Sequence, residues 1–490
     1  MIITRSISNT ICVPGTTKGV SFRFDLDKIP TYIGISTTRG MRPCNEDRMG
    51  LAILDNKYYV TNYINSNSIT KKDNPIFAFG IWDGHGGVQC SDFLKDNLFK
   101  NFETIINDNT ANGQYKDLTV DKDIQNLKAY WFSVGGYWKR WCKKLKPPMS
   151  TVDWGQLRYA SWLAHLKCDE FYLKWEKEFN DEAKLNISKE QEKNNDKDSS
   201  DRHMHINKSK GKGKNPVHAG STSTTLLLQP LNSDLYVSPH AVSRLLISHL
   251  GDTRAILCDK NGLAHSLTRD HHPNNPIEAR RLRGWGLIGM DSFGEERFGS
   301  YANTRAVGDW SGKRDGITAE VEMVDILLGN KNDVMKLIPK DKRLKEIVGV
   351  DNYTGSHNNH SDLVHAVLNN EDNHNSNDKL ISGSSKGDSD SVLYFGGQES
   401  FLVLTSDGIT NNLNDQEIAD LIMSTYNNLG VKRGSPQRCA DEVTAFIDCI
   451  GGDDNASCMV IRLNGWGKWP VIDRTGSLRE AKLENVFKKR

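Results

Sequence analysis

The sequence predicts a mixed α/β fold. Short apolar runs stop abruptly at turn residues, stretches with helical periodicity lie between them, and acidic residues stand where several of the runs end. In chain order, IFAFGIW stops at Asp83, RLLISHL stops at Gly251, SFLVLTS stops at Asp407, and SCMVIRL follows Asn455. Such runs read as buried strands of one or two sheets. Helical patterns cover Val88 to Phe102, Pro276 to Arg283 and NDQEIADLIMSTY from Asn414. In the last of these, Asn414 as N-cap and Glu417 three residues on make a capping-box pattern.

A chain of 490 residues has room for anything from one heavily inserted catalytic domain to roughly three small ones. With 63 Lys plus Arg against 62 Asp plus Glu, the net charge is +1, so no overall field draws the chain to nucleic acid or an anionic membrane. The 9 cysteines are odd in number and scattered, which reads as reduced thiols and gives neither a disulfide framework nor a zinc ribbon. No apolar run approaches the ~20 residues of a membrane helix, and an integral membrane segment is not expected. The first 24 residues lack acids, are rich in Ser and Thr and carry Arg5, Lys18 and Arg23. They read either as a mitochondrial targeting segment or as an unstructured tail, with a cytoplasmic protein as the alternative.

Two polar segments interrupt the α/β pattern. From about Ala183 to Val217 hardly an apolar residue occurs, and a disordered loop is expected. From about Gly329 to Ser391 the chain turns Asn- and His-rich, with helix-like pieces near Lys342 to Val348 and Ser361 to Asn369. The expected organisation is an N-terminal extension at 1–30, one domain at 31–464 with insertions at about 110–217 and 329–391, and a C-terminal tail at 465–490. The first insertion combines a Trp-rich helical part, including YASWLAHLKCDEFYLKW, with the disordered loop. Six of the 11 Trp lie between DGHGG and GST, and they serve either packing against the sheet or docking of a partner.

The position of the acids carries the functional reading. Asp83 and Asp407 stand at the mouths of apolar strands, where an ionised carboxylate costs several kcal/mol unless a cation compensates it. Asp454 precedes another strand, and Glu46 and Asp47 follow the Arg-containing turn RGMRPCNEDR. Oxygen ligands without His or Cys at zinc spacing suit magnesium or manganese. If these acids converge, two cations about 3.5 to 4 Å apart can activate a water for hydrolysis. The glycines of DGHGG let the backbone approach a ligand, and Gly84 can offer its carbonyl to a cation. His85 titrates near neutrality and can protonate a departing alkoxide, while the planar fork of Arg42 can grip two phosphate oxygens. Taken singly, an Asp-Gly pair is a turn, a His beside glycines a hydrogen-bonded turn residue and a lone Arg an ion-pair partner; the conjunction favours the site. GKGKN is no phosphate loop, and the histidines of HMHIN and HNNH lie in segments expected to be disordered.

RGMRPCNEDR, FGIWDGHGG, GSTSTTLLL, HLGDTRAIL, LTRDHHPNNPIEARRL, NTRAVGDW, GITAEVEM, FLVLTSDGIT and DDNASCMVIRL follow one another over about Tyr32 to Leu463. In kind and order they resemble the metal-dependent protein phosphatases (PPM, or type 2C). The resemblance implies an α+β fold, a four-layer α-β-β-α sandwich of two antiparallel sheets with flanking helices and a binuclear metal cleft at one end. It implies two Mg2+ or Mn2+ ions and a phosphoprotein substrate dephosphorylated at serine or threonine. Asp83 would bridge the ions, Gly84 would give its carbonyl, and Glu46, Asp407 and Asp454 would complete the cage directly or through water. Asp47 fits a neighbouring acidic position, Arg42 the phosphate clamp, His85 the general acid and Asp252 a third, weaker metal site. The family's SDG motif often continues to an Asp four residues on, whereas this chain has Asn411, an amide that brings no charge to that third site. The Trp-rich insertion and acid-free N-terminus resemble a fungal mitochondrial branch of the family. A catalytically inactive pseudophosphatase and a hydrolase of small phosphate esters are the competing readings.

Overall fold

Seven consecutive residues, Ile76–Trp82, form strand β5, buried throughout, as a run apolar on both faces should be. The computed structural model of the chain describes residues 10–14, 21–25, 31–54, 76–108, 127, 130, 154–195, 217–232, 235–282, 288–290, 294, 296–337, 392–397 and 399–489. β5 lies next to the edge strand of a six-stranded sheet ordered β16 (Val392–Tyr394), β15 (Glu322–Leu328), β9 (Ser243–Leu250), β8 (Ser223–Pro230), β5 and β4 (Arg48–Leu54). A five-stranded sheet runs β11 (Ala264–Ser266), β10 (Arg254–Cys258), β17 (Phe401–Thr405), β18 (Ala456–Arg462) and β3 (Ile33–Thr38). Pairing is antiparallel except between β15 and β16, which run parallel, a departure from two wholly antiparallel sheets.

The apolar side chains fall into clusters that follow the sheet faces. Alternate residues of the two sheets, among them Phe77, Phe79, Leu245, Ile326, Leu402 and Met459, meet in one shared core. The opposite face of the six-stranded sheet, with Ala78, Trp82 and Leu246, packs against α1 (Gln89–Asp108) and α2 (Trp154–Asn195). The opposite face of the five-stranded sheet, with Val403, Cys458 and Val460, packs against α7 (Asp415–Leu429) and α8 (Pro436–Ile450). Two short sheets lie beside these, β14 (Val307–Gly308) with β7 (Gly220–Ser221) and β6 (Gly84–His85), and β12 (Ile288–Met290) with β13 (Glu296–Phe298). Near the N-terminus β1 (Thr10–Pro14) pairs with β2 (Ser21–Asp25).

The capping box opens α7: the Glu417 N–H donates to the Asn414 side chain and the Asn414 N–H to Glu417 Oε2, both at 2.9 Å. Such a cap contributes about 1 kcal/mol. The expected disorder from about Ala183 is corrected in part, because α2 continues to Asn195. Lys, Leu, Glu and Gln in that stretch are good helix formers whatever their polarity. Residues 196–216 and the helix-like pieces at 342–348 and 361–369 lie outside the described residues, while α5 (Lys331–Leu337) opens the second insertion. Of the Trp-rich segment, Trp162 is fully buried and Trp175 is 40% exposed. Beyond Leu463, Trp466 and Trp469 stack edge-on against Phe401 and Tyr426, and Lys482 of α9 (Gly476–Lys489) donates to Glu417 at 2.6 Å.

Candidate metal centre

Each acid singled out in the sequence lies where the chain leaves or enters a strand at one end of the two sheets. Glu46 and Asp47 sit on the passage from β3 to β4, Asp83 follows β5, and Asp252 occupies the turn from β9 to β10. Asp407 opens the short helix α6 (Asp407–Thr410) directly after β17, and Asp454 precedes β18. The loops meet around a cleft of about 1010 Å³ lined by Arg42, Glu46, Asp83, Gly84, His85, Asp252, Asp407 and Asp454. Asp47 lies buried behind it, with Ser406 Oγ donating to its Oδ2 at 2.7 Å. Among the described residues, eight Asp and Glu side chains line the cleft against two Arg and no Lys.

Backbone hydrogen bonds fix this geometry. The Thr222 N–H and the Ser221 hydroxyl donate to the Asp83 carbonyl at 2.9 and 3.1 Å, while the Asp83 N–H donates to Thr222 Oγ1 at 3.1 Å. Glu46 is held from both sides, its N–H donating to Asn455 Oδ1 at 2.8 Å and its carbonyl accepting from Ser91 Oγ at 2.6 Å. Gly84 passes so close to these groups that a Cβ would stand 2.7 Å from both the Glu46 carbonyl oxygen and Ser91 Oγ. Only glycine fits there.

The electrostatics are those of crowded anions. Burial, then the charges of Asp47, Asp407 and Asp252, push the Asp83 carboxyl well above the usual carboxylate range. Asp407 is pushed up to about 7, by burial first and then by Asp252. Burial likewise raises Asp47, against the pull of the Ser406 hydrogen bond. Asp252 behaves differently: burial would raise it, but His272 Nε2 and Asn303 Nδ2, each 3.0 Å from its Oδ2, hold it below its ordinary value. His85 stays above its ordinary value because, although burial opposes its charge, Asp309 lies 2.8 and 2.9 Å from Nε2.

The donor chemistry fits hard divalent cations, being oxygen throughout. Asp47 Oδ1 is buried without a hydrogen-bond partner, and Gly84 leaves a cradle that any Cβ would fill. As placed, no three His, Cys, Asp or Glu side chains among the described residues are grouped to hold an ion. The outer carboxylates turn to protein donors instead, Arg42 Nη2 lying 2.7 Å from Asp454 Oδ2 and Asn411 Nδ2 3.2 Å from Asp407 Oδ2. Sequence reasoning assigned no role to Asp309, His272 or Asn303, all of which line the cleft. The available signal for Asp309 was an acid closing the apolar turn AVGD, the placement already noted for Asp83 and Asp407.

The model of the family described as protein phosphatase 2C matches residues 164–339 and 369–455, more than half of the chain. The chain belongs to that family. It is a protein serine/threonine phosphatase. Protein phosphatase 2C homolog 4 of Schizosaccharomyces pombe is 29% identical over 464 residues, covering 94% of this chain and 88% of that protein. Protein phosphatase 1K, mitochondrial, of Xenopus laevis is 26% identical over 226 residues, 46% of this chain and 40% of that one. Among solved structures, serine-threonine phosphatase 2C from Toxoplasma gondii aligns with a TM-score of 0.45 and 14% identity over 93% of this chain and the whole of that chain. The family match includes Asp252, Asp407 and Asp454, whereas Arg42, Glu46, Asp83 and His85 precede it and join them through the fold. Among the described residues no helix of this phosphatase is long and apolar enough to cross a membrane.

Proposed function

We propose that this protein phosphatase is Mg2+- or Mn2+-dependent and that Asp83, Gly84, Glu46, Asp407 and Asp454 hold two cations, with Asp47 behind them. The observation that carries the reading is the crowding of Asp47, Asp83, Asp252 and Asp407, acids that raise or oppose one another with no lysine among the described residues of the cleft. When bound, the cations supply Lewis acidity that lowers the pKa of a water and neutralises phosphate charge. His272 and Asn303 both engage Asp252 Oδ2, which leaves Oδ1 as the oxygen Asp252 would offer a third site, and Asn411 adds no charge there.

The chain's own groups do the rest. Arg42, 57% exposed at the rim and oriented by Asp454, grips the phosphate through its planar fork. His85, 40% exposed toward the cleft, carries a proton that Asp309 stabilises and delivers it to the serine or threonine oxygen as the P–O bond breaks. A pseudophosphatase reading has no support: a binding module gains nothing from unpaired carboxylates that cost stability.

Three wider inferences belong to this reading. The separate apolar clusters on each sheet face support a four-layer α-β-β-α sandwich. A single phosphatase domain at 31–464, with insertions at about 110–217 and 329–391, accommodates both sheets, and the segment expected as a C-terminal tail at 465–490 packs against it through Trp466, Trp469 and Lys482. A mitochondrial address draws on the acid-free N-terminus and the name of the Xenopus laevis relative, and imaging of the tagged full chain tests it against the cytoplasm.

His85→Ala tests the acid role. Turnover of a phosphothreonine peptide should fall about 10²- to 10⁴-fold, with a far smaller loss on p-nitrophenyl phosphate, whose phenolate leaves without a proton. Equal losses on the two substrates would remove His85 from that role.

A further inference from the structure

Asp169 lies on α2, in the segment between DGHGG and GST, and its side chain is fully buried. Its Oδ1 accepts the Gly308 N–H at 2.7 Å and stands 3.1 Å from Lys313 Nζ; its Oδ2 accepts from the Tyr130 hydroxyl. Lys313, itself buried, also donates to the Ala306 carbonyl at 2.5 Å. One carboxylate thereby ties both flanks of the turn that carries Asp309.

That turn is unusual. Asp309 has φ 54° and ψ 53° and is the only non-glycine with positive φ among the described residues. Such a conformation is strained for a residue that carries a Cβ and persists only where its surroundings impose it. Its carboxylate, 6% exposed, holds His85 Nε2, and the two side chains close over bare backbone: a Cβ on Gly220 would stand 2.4 Å from His85 Nε2 and 2.5 Å from Asp309 Oδ1. A buried Asp–Lys pair adds little stability over an apolar pair of the same volume. What it adds here is direction.

We propose that Asp169 is a positioning residue for catalysis: through the Gly308 N–H and Lys313 it fixes the left-handed turn at Asp309, which aims His85 at the leaving oxygen. The inference rests on the reading of His85 as proton donor. It gives the long helix α2 a part in the chemistry although none of its described side chains lines the cleft.

The test compares two double variants of the full chain, so that Lys313 is never left charged and unpaired. In the Lys313→Met background, Asp169→Asn keeps an acceptor for the Gly308 N–H and Asp169→Leu removes it. On a phosphothreonine peptide the Leu variant should lose about 10- to 100-fold in kcat, with a much smaller loss on p-nitrophenyl phosphate, and the Asn variant should recover most of the difference. Equal losses on both substrates, or Asn and Leu variants that behave alike, would overturn the inference. If His85→Ala itself shows no dependence on the leaving group, the acid assignment fails and this inference with it. If His85→Ala shows the dependence and the Leu variant does not, only this inference fails. Should the Leu variant not fold, Tyr130→Phe loosens the same carboxylate and should give a smaller split in the same direction; a folded Tyr130→Phe protein without that split would contradict the proposal.

Discussion

Glu278 and Asp83 are carboxylates withdrawn from water in the same molecule, and their surroundings are opposites. Glu278, on α3 (Pro276–Leu282), is fully buried and accepts from Arg305 at 2.6 and 3.1 Å, from Arg281 at 2.7 and 3.0 Å and from Thr304 Oγ1 at 2.7 Å. Burial alone would raise its pKa, but the two guanidinium groups hold it well below the usual carboxylate range. Asp83 has other acids for neighbours and is pushed the other way. A carboxylate that brings its own cations belongs to the fold, whereas one that lacks them is poised for a ligand.

Substitutions at the two positions should therefore fail in different ways. Asp83→Asn should cost about 10⁴-fold or more in turnover of a phosphopeptide, about 5.5 kcal/mol of transition-state stabilisation, and leave the fold intact. Glu278→Gln should instead destabilise the fold by about 3–5 kcal/mol at neutral pH, because two buried arginines lose the negative charge they share; denaturant titration reads this. The sign with pH is fixed by the depressed folded-state pKa: the contribution of Glu278 is present above the unfolded value of about 4.3 and is lost as pH falls through the folded one. Wild type should lose that stability on acidification, and Glu278→Gln should lack this limb of the profile.

Divalent cation should separate the regions again, with a smaller effect. At about 100 times Kd, MnCl2 should stabilise the wild-type fold by about 2.7 kcal/mol, the Glu278→Gln protein by the same amount and the Asp83→Asn protein by far less. The smallest expected effect has the opposite sign. In chelator, Asp83→Asn should be about 1 kcal/mol more stable than wild type, since it removes one of several like charges. A loss of stability there would mean that Asp83 is already compensated, as Glu278 is.

Much of the scaffold was legible because burial on both faces leaves a compositional trace: β5, β9, β17 and β18 all appear as apolar runs. The Asn414 capping box was equally legible, since its two residues act on each other across three positions. The cleft acids could be read from strand ends, but their partners could not. His272 and Asn303 reach Asp252 from elsewhere in the fold, and the left-handed turn of Asp309 has no signature in residue type. The continuation of α2 to Asn195 was hidden for another reason: a polar stretch reads as disorder unless its helix propensity is weighed separately.

The most direct test of the metal reading is hydrolysis of a phosphothreonine peptide by the full chain, stripped with chelator and then titrated with MnCl2. The expected result is no turnover in chelator, saturable recovery with manganese and no recovery in Asp83→Asn. Turnover that is unchanged in chelator, or restored equally in Asp83→Asn, would contradict it.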